Sequence, residues 1–155
     1  MPGTPEKPLA AAPVTVLAFD FGTRNIGMAV GQTLTVSARP LTVLRAKDGK
    51  PHWPQVLKHI DDWQPGLLIV GLPLNIDGSE SEFCARARKF ARRLRGRSGC
   101  KVLMFDERLS TIEAKSMEAK SKQPTGDYRQ SPVDALAACL ILQSWLQQPD
   151  LAINP

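Results

Sequence analysis

The chain is 155 residues long and contains no run approaching about 18 consecutive apolar residues, which excludes an ordinary transmembrane helix. Residues 9–19 are largely apolar, but that stretch ends in Asp20 and its flanks do not resemble a secretory signal. Cysteine is scarce: Cys84, Cys100 and Cys139 are odd in number and scattered. That excludes a disulfide framework, leaves no Cys/His metal spacing, and suits reduced thiols in a cytoplasmic protein. The two histidines, His52 and His59, lie seven apart beside Trp53 and Ile60 and read as surface or packing residues. There is a single tyrosine and no aromatic run, so the chain offers no stacking platform for single-stranded nucleic acid.

What is present suits one globular domain: 43% hydrophobic and 23% charged residues, with a formal charge of +5 that leans toward an anionic partner. Residues 1–13 carry four prolines and read as a mobile tail, 14–148 as the domain, and 149–155 as a C-terminal tail. Strands are expected at 16–20, 26–30 and 34–44, the last two joined by a turn at Gly31, Gln32 and Thr33. Trp53, Val56, Leu57 and Ile60 have helical spacing, broken by Pro65 and Gly66. The run 67–71 reads as a strand buried on both faces. An amphipathic helix over 81–94 and a strand at 102–105 follow. Ser110 with Glu113 suits a capping box, 118–131 is polar, and Pro132 opens a last helix whose apolar face runs through Val133, Leu136, Ala137, Leu140 and Ile141. This order predicts an α/β fold, a mixed sheet with helices on both sides.

Asp20 and Glu107 sit at or just past the carboxyl ends of core strands, where open α/β sheets gather their ligands. Asp134 falls in the first turn of the last helix. If that helix crosses the sheet, three carboxylates converge and require a cation. Oxygen ligands without His or Cys favour Mg²⁺ or Mn²⁺, and a pair of such ions supports phosphodiester hydrolysis. Singly, each acid has a plainer use. Asp20 suits a turn acceptor, Glu107 an exposed partner of Arg108, and Asp134 a cap with Ser131.

Between Phe83 and Phe105 there are eight basic residues and no acidic ones. Arg86, Lys89, Arg92 and Arg93 fall on the arc opposite the apolar stripe Phe83, Ala87, Phe90, Leu94, as a solvated face or a phosphate-contacting one. The loop holding Asn75, Asp77 and Ser79, and the turn holding Thr23, Arg24 and Asn25, are further places for phosphate contact.

Four ordered segments, "LAFDFGTRNIGMAVGQ", "LLIVGLPLNIDGSES", "DERLSTIEA" and "VDALAACLILQSWL", resemble the YqgF (RuvX) family, proposed pre-16S rRNA nucleases related to Holliday-junction resolvases. The resemblance spans residues 14 to 145. It implies a ribonuclease H-like fold with five strands in the order 3-2-1-4-5, the second antiparallel to the rest. It further implies a Mg²⁺- or Mn²⁺-dependent site with Asp20, Glu107 and Asp134 as catalytic metal ligands. Thr23, Arg24, Asn75, Arg86, Lys89, Arg92, Arg93, Arg108 and Arg129 are the candidate substrate contacts. Where family members often carry a basic pair before the late Val-Asp, this chain has only Arg129 in "GDYRQSPVD". The implied partner is pre-ribosomal RNA or branched DNA, bound by a monomer or weak homodimer without a membrane. Two other classes stand beside it. One is an ATPase, since "DFGT" resembles a phosphate loop of the actin and sugar-kinase superfamily, although 155 residues do not supply the second domain such proteins close with. The other is a nucleic-acid-binding factor without catalysis.

Overall fold

The computed structural model describes residues 13–110 and 132–155, and side chains over 13–109 and 135–155. Six strands are found there: β1 (Thr15–Asp20), β2 (Asn25–Gln32), β3 (Ser37–Lys47), β4 (Lys50–Pro51), β5 (Leu67–Leu72) and β6 (Val102–Asp106). They form one sheet in the order β4-β3-β2-β1-β5-β6. β2 runs antiparallel to β1 and β3, while β1, β5 and β6 are parallel. The core order is the expected one. The count differs from the expected five because Asp48 and Gly49 turn the end of β3 back on itself, adding the two-residue β4. Both turn residues have positive φ, 53° and 81°, the conformation that suits a two-residue hairpin and that an Asp-Gly pair readily adopts. The β2–β3 turn also differs from expectation. Gly31 and Gln32 stay in β2, and the turn occupies 33–36, with Leu34 exposed.

β1 is the centre of the core. Val16, Leu17, Ala18 and Phe19 are all fully buried, because successive side chains go to opposite faces and both faces are covered. Leu17 and Phe19 pack with α1 (Trp53–Trp63) and α2 (Glu82–Ser98), through Val56, Ile60, Ala87, Phe90 and Leu94. Val16 and Ala18 pack with α3 (Pro132–Gln147), through Ala138, Cys139, Ile141, Leu142 and Trp145. Burying each large apolar side chain contributes about 1.5–3 kcal/mol, so β1 is anchored more strongly than the repulsion of one carboxylate at its end can disturb.

α2 is capped by Ser81, whose Oγ accepts the Cys84 N–H, and ends at Gly99 in the left-handed region. Its buried stripe is Cys84, Ala87, Phe90, Ala91 and Leu94; Phe83, expected on that stripe, is at its edge and 36% exposed. α3 begins at Pro132, as expected, but its buried face is rotated from the expected one. Ala138, Cys139, Leu142 and Trp145 form the contact, and Leu136 and Ala137 are only half-buried. A helix that is apolar nearly all round does not reveal from spacing alone which side meets the sheet. The segment expected as a tail, 149–155, folds back onto β6: Met104 and Ile153 exchange two backbone hydrogen bonds of 2.7 and 2.8 Å. The expected tail at 1–12 and the expected cap at Glu113 lie outside the described residues. No helix among those described is long and apolar enough to cross a membrane.

Candidate active site

Asp20 closes β1 on the same parity as Val16 and Ala18, which places it on the α3 face of the sheet. β1 is in parallel register with β5, with Phe19 beside Val70. One further step along that register sets Asp20 beside Gly71. Glu107 follows β6 directly, as the first residue of a single 3₁₀ turn, Glu107–Ser110. A Cβ built on Gly71 would lie 2.5 Å from Glu107 Oε2 and 2.6 Å from Ile141 Cδ1. The missing side chain of Gly71 is therefore what admits the Glu107 carboxylate between the sheet and α3. Both acids flank one glycine on one face.

That place is poorly hydrated. The Glu107 carboxyl is pushed up to about 7, first by burial and then by the charge of Asp106 beside it. A carboxyl in such a setting retains its proton until a cation or a donor offsets its charge. Asp134 lies in the first turn of α3, and α3 packs against the 3₁₀ turn that carries Glu107. The side chain of Asp134 lies outside the described residues, as does Arg129. Among the described residues no three His, Cys, Asp or Glu side chains gather to hold a metal. The donors that are described, two carboxylates beside a sterically open glycine, are hard oxygen ligands of the kind Mg²⁺ and Mn²⁺ take.

The basic candidates separate into three groups. Arg108 spends its guanidinium on Asp106, with a closest approach of 2.7 Å, and on the Ile76 carbonyl at 3.1 Å. It fixes the strand end and the 73–81 loop rather than facing solvent alone, so the alternative of Arg108 answering an exposed Glu107 gives way to an Asp106–Arg108 pair beside a half-buried Glu107. Asn75 is bound up within its loop, donating to Ser79 Oγ at 2.9 Å, while Asp77 accepts from the Ser79 N–H and hydroxyl. Arg86 donates to Asp48 Oδ1 and to its carbonyl, at 2.8 and 2.9 Å. By contrast Arg24, Lys89, Arg92 and Arg93 keep solvent access, and Thr23 is half-buried, its carbonyl accepting the Gly49 N–H at 2.8 Å. Sequence reasoning passed over Gly71, Asp48 and Lys50. The Asp-Gly pair flanked by lysines in "KDGK" was the available signal for the latter two; nothing local marks Gly71.

Residues 14–148 match the RuvX family, described as Holliday junction resolvase. This chain belongs to the RuvX family. Relatives across nearly their whole length include proteins named as proposed pre-16S rRNA nucleases. One from Sodalis glossinidius is 50% identical over 141 residues, covering 89% of this chain and 97% of that protein. One from Edwardsiella ictaluri is 53% identical over 138 residues, covering 87% and 96%. The fold of this RuvX chain is also that of RuvC from Thermus thermophilus in complex with a Holliday junction substrate, with a TM-score of 0.55 at 14% identity over 90% of this chain and 98% of that one. Fowlpox virus resolvase, solved with Holliday junction DNA, gives a TM-score of 0.53 at 12% identity, covering 87% and 98%. At those identities the likeness concerns the fold. It agrees with the ribonuclease H-like architecture expected from the sequence.

Proposed function

We propose that this RuvX chain is a divalent-metal-dependent nuclease that hydrolyses phosphodiester bonds in structured nucleic acid, with pre-16S ribosomal RNA as its substrate. The observation that carries the reading is the pair of carboxylates flanking Gly71 at the carboxyl ends of β1 and β6, in a chain about half identical to proteins named for that activity. Asp20, Glu107 and Asp134 would hold Mg²⁺ or Mn²⁺. When bound, such an ion supplies Lewis-acid stabilisation of charge developing on phosphoryl oxygens. The chain's own residues do the rest. β1, buried on both faces, fixes Asp20 in place. Gly71 and Ile141 fix the Glu107 carboxylate and exclude bulk water from its inner side. Arg108 holds Asp106 away from competing for the same cation, by pairing with it. Thr23 and Arg24, in the turn after Asp20, are placed to meet a backbone phosphate.

The test is parallel incubation of the full chain with precursor 16S rRNA and with a four-way DNA junction, in Mg²⁺, Mn²⁺ or EDTA. Cleavage of the RNA in either metal and none in EDTA is expected. Cleavage of the junction alone would reassign the substrate to branched DNA. A folded chain that cuts neither would leave a nucleic-acid-binding role without catalysis.

A further inference from the structure

A cavity of about 260 Å³ opens on the other side of the sheet, between the β3–β4 hairpin and α2. Lys50 enters it from the hairpin, and Arg86, Lys89 and Arg93 enter from α2, around a single carboxylate, Asp48. Arg86 already engages Asp48 through two hydrogen bonds of 2.8 and 2.9 Å. Among the described residues, Lys50, Lys89 and Arg93 form no salt bridge with an acidic side chain. Three cations from two separate elements, converging on one concave space, repel one another until an anion enters.

The site is built in advance. The Asp48–Gly49 turn is fixed at one end by the Gly49 N–H on the Thr23 carbonyl, and at the other by Arg86. Gly49 has φ +81°, and a Cβ there would lie 3.0 Å from Phe21 Cζ and 3.3 Å from Arg86 Nη2, so the turn sits close over the cavity. The floor is aromatic but offers no open ring face. Phe21 and Phe90 are 6% and 3% exposed. Trp53 stacks on Phe90, and the Arg97 guanidinium lies 4.8 Å from the centre of the Trp53 ring. That argues for a phosphate in the cleft rather than a stacked base. Phe21 follows Asp20 in sequence and packs with the α1 and α2 face, so the cleft lies directly behind the end of β1.

We propose that Lys50, Lys89 and Arg93 form a phosphate subsite, braced by the Arg86–Asp48 contact, that holds a nucleic-acid backbone phosphate away from the bond being cut. This rests on the nuclease reading for the identity of the ligand, but not for its chemistry. It also divides the basic helix: Arg93 belongs to the subsite, whereas Arg92, next to it in sequence, is absent from the cavity lining.

The test compares the unaltered full chain, a Lys50→Gln/Lys89→Gln/Arg93→Gln variant and an Arg92→Gln variant. Affinity for a fluorescein-labelled RNA hairpin is measured in EDTA from low to moderate salt, where no metal-dependent cleavage intervenes. Removing one cation that touches a phosphate flattens the slope of log affinity against log salt by about 0.7–0.9. The slope of the triple variant should therefore fall by about 2 or more, and that of Arg92→Gln by about 1 or less. Gln is a good helix former, and thermal unfolding checks that the fold persists. Should the triple variant fail to fold, Lys89→Gln alone carries the test, with a slope change worth about one phosphate that Lys89→Arg reverses. A competition arm with inorganic pyrophosphate separates two sources of phosphate. Displacement of RNA only at millimolar levels identifies the backbone as the ligand, and micromolar binding abolished in the triple variant identifies a free phosphate compound. Equal slopes and pyrophosphate affinities in the triple variant and the unaltered chain overturn the subsite. If the unaltered chain binds RNA through the cleft yet cuts nothing, the nuclease reading falls and the subsite stands. If it cuts RNA and the triple variant matches it in KM and affinity, the reverse holds.

Discussion

The Glu107 carboxylate occupies the space that a side chain on Gly71 would fill. The relationship joins two strands, β5 and the end of β6, to Ile141 of α3, and its consequences reach activity, pH dependence and stability.

Gly71→Ala places a methyl group 2.5 Å from Glu107 Oε2 and 2.6 Å from Ile141 Cδ1. One or both must move, at a cost of about 1–3 kcal/mol. The variant should fold with a lowered Tm and lose most of its nuclease activity while retaining RNA affinity. Adding Ile141→Val relieves the packing half of the clash. The double variant should recover Tm but not turnover, because Glu107 stays displaced. Recovery of both together would mean that Gly71 matters only for packing.

Asp20→Asn should reduce cleavage by more than about 100-fold, since stabilisation worth several kcal/mol depends on the ligand set. It should leave metal-free stability unchanged or higher, because one charge leaves a crowded group. Asp134→Asn should act alike, and the Asp20→Asn/Asp134→Asn pair should lose little beyond either single change, as residues serving one unit do. Multiplicative losses, measured by single turnover, would assign Asp134 to capping α3 instead.

Glu107 should make the metal-free chain less stable as pH rises. Its pKa is raised from 4.5 to about 7, so between those values the native state binds more protons than the unfolded one, and the slope of stability with pH is negative. The contribution is intact below about pH 4.5 and lost as pH passes about 7, an effect of about 3 kcal/mol. Glu107→Gln should abolish this part of the slope and be the more stable protein at about pH 8 in EDTA. Denaturant titration of both proteins across that range checks it; parallel curves would place Glu107 in water.

The β6 edge should depend on the returning C-terminal segment. Removing residues 152–155 deletes the Met104–Ile153 pair and the 3.2 Å hydrogen bond from Arg88 to the Asn154 carbonyl. With net contributions near 1 kcal/mol per hydrogen bond, a loss of about 2–3 kcal/mol is expected. The bared strand edge should also favour self-association. Denaturant midpoints and light scattering read the two effects, and an unchanged midpoint would show the segment to be dispensable.

Much of this protein was legible in its sequence. The apolar run before Asp20 marked a strand covered on both faces, the 67–71 run marked another, and the helical spacing of Val56, Ile60, Ala87, Phe90 and Leu94 marked the helices on one face. Those signals are local, because they depend on the period of a strand or helix. The placing of Asp20 and Glu107 at strand ends was legible for the same reason. Tertiary structure alone decided the rest. Gly71 became the opening for Glu107 only through the register of β5 against β1 and the rotation of α3, neither of which leaves a mark in the local pattern. Arg108 turned to Asp106, and Arg86 to Asp48 across 38 residues of sequence, because a folded chain pairs its charges by proximity in space. Lys50 met Lys89 and Arg93 only when the Asp48–Gly49 turn folded the hairpin over α2. The sequence by itself determined which residues could do chemistry and on which elements they lie; long-range packing determined which of them meet, since contact between distant residues is settled by whole-chain burial and register rather than by any one segment's preference.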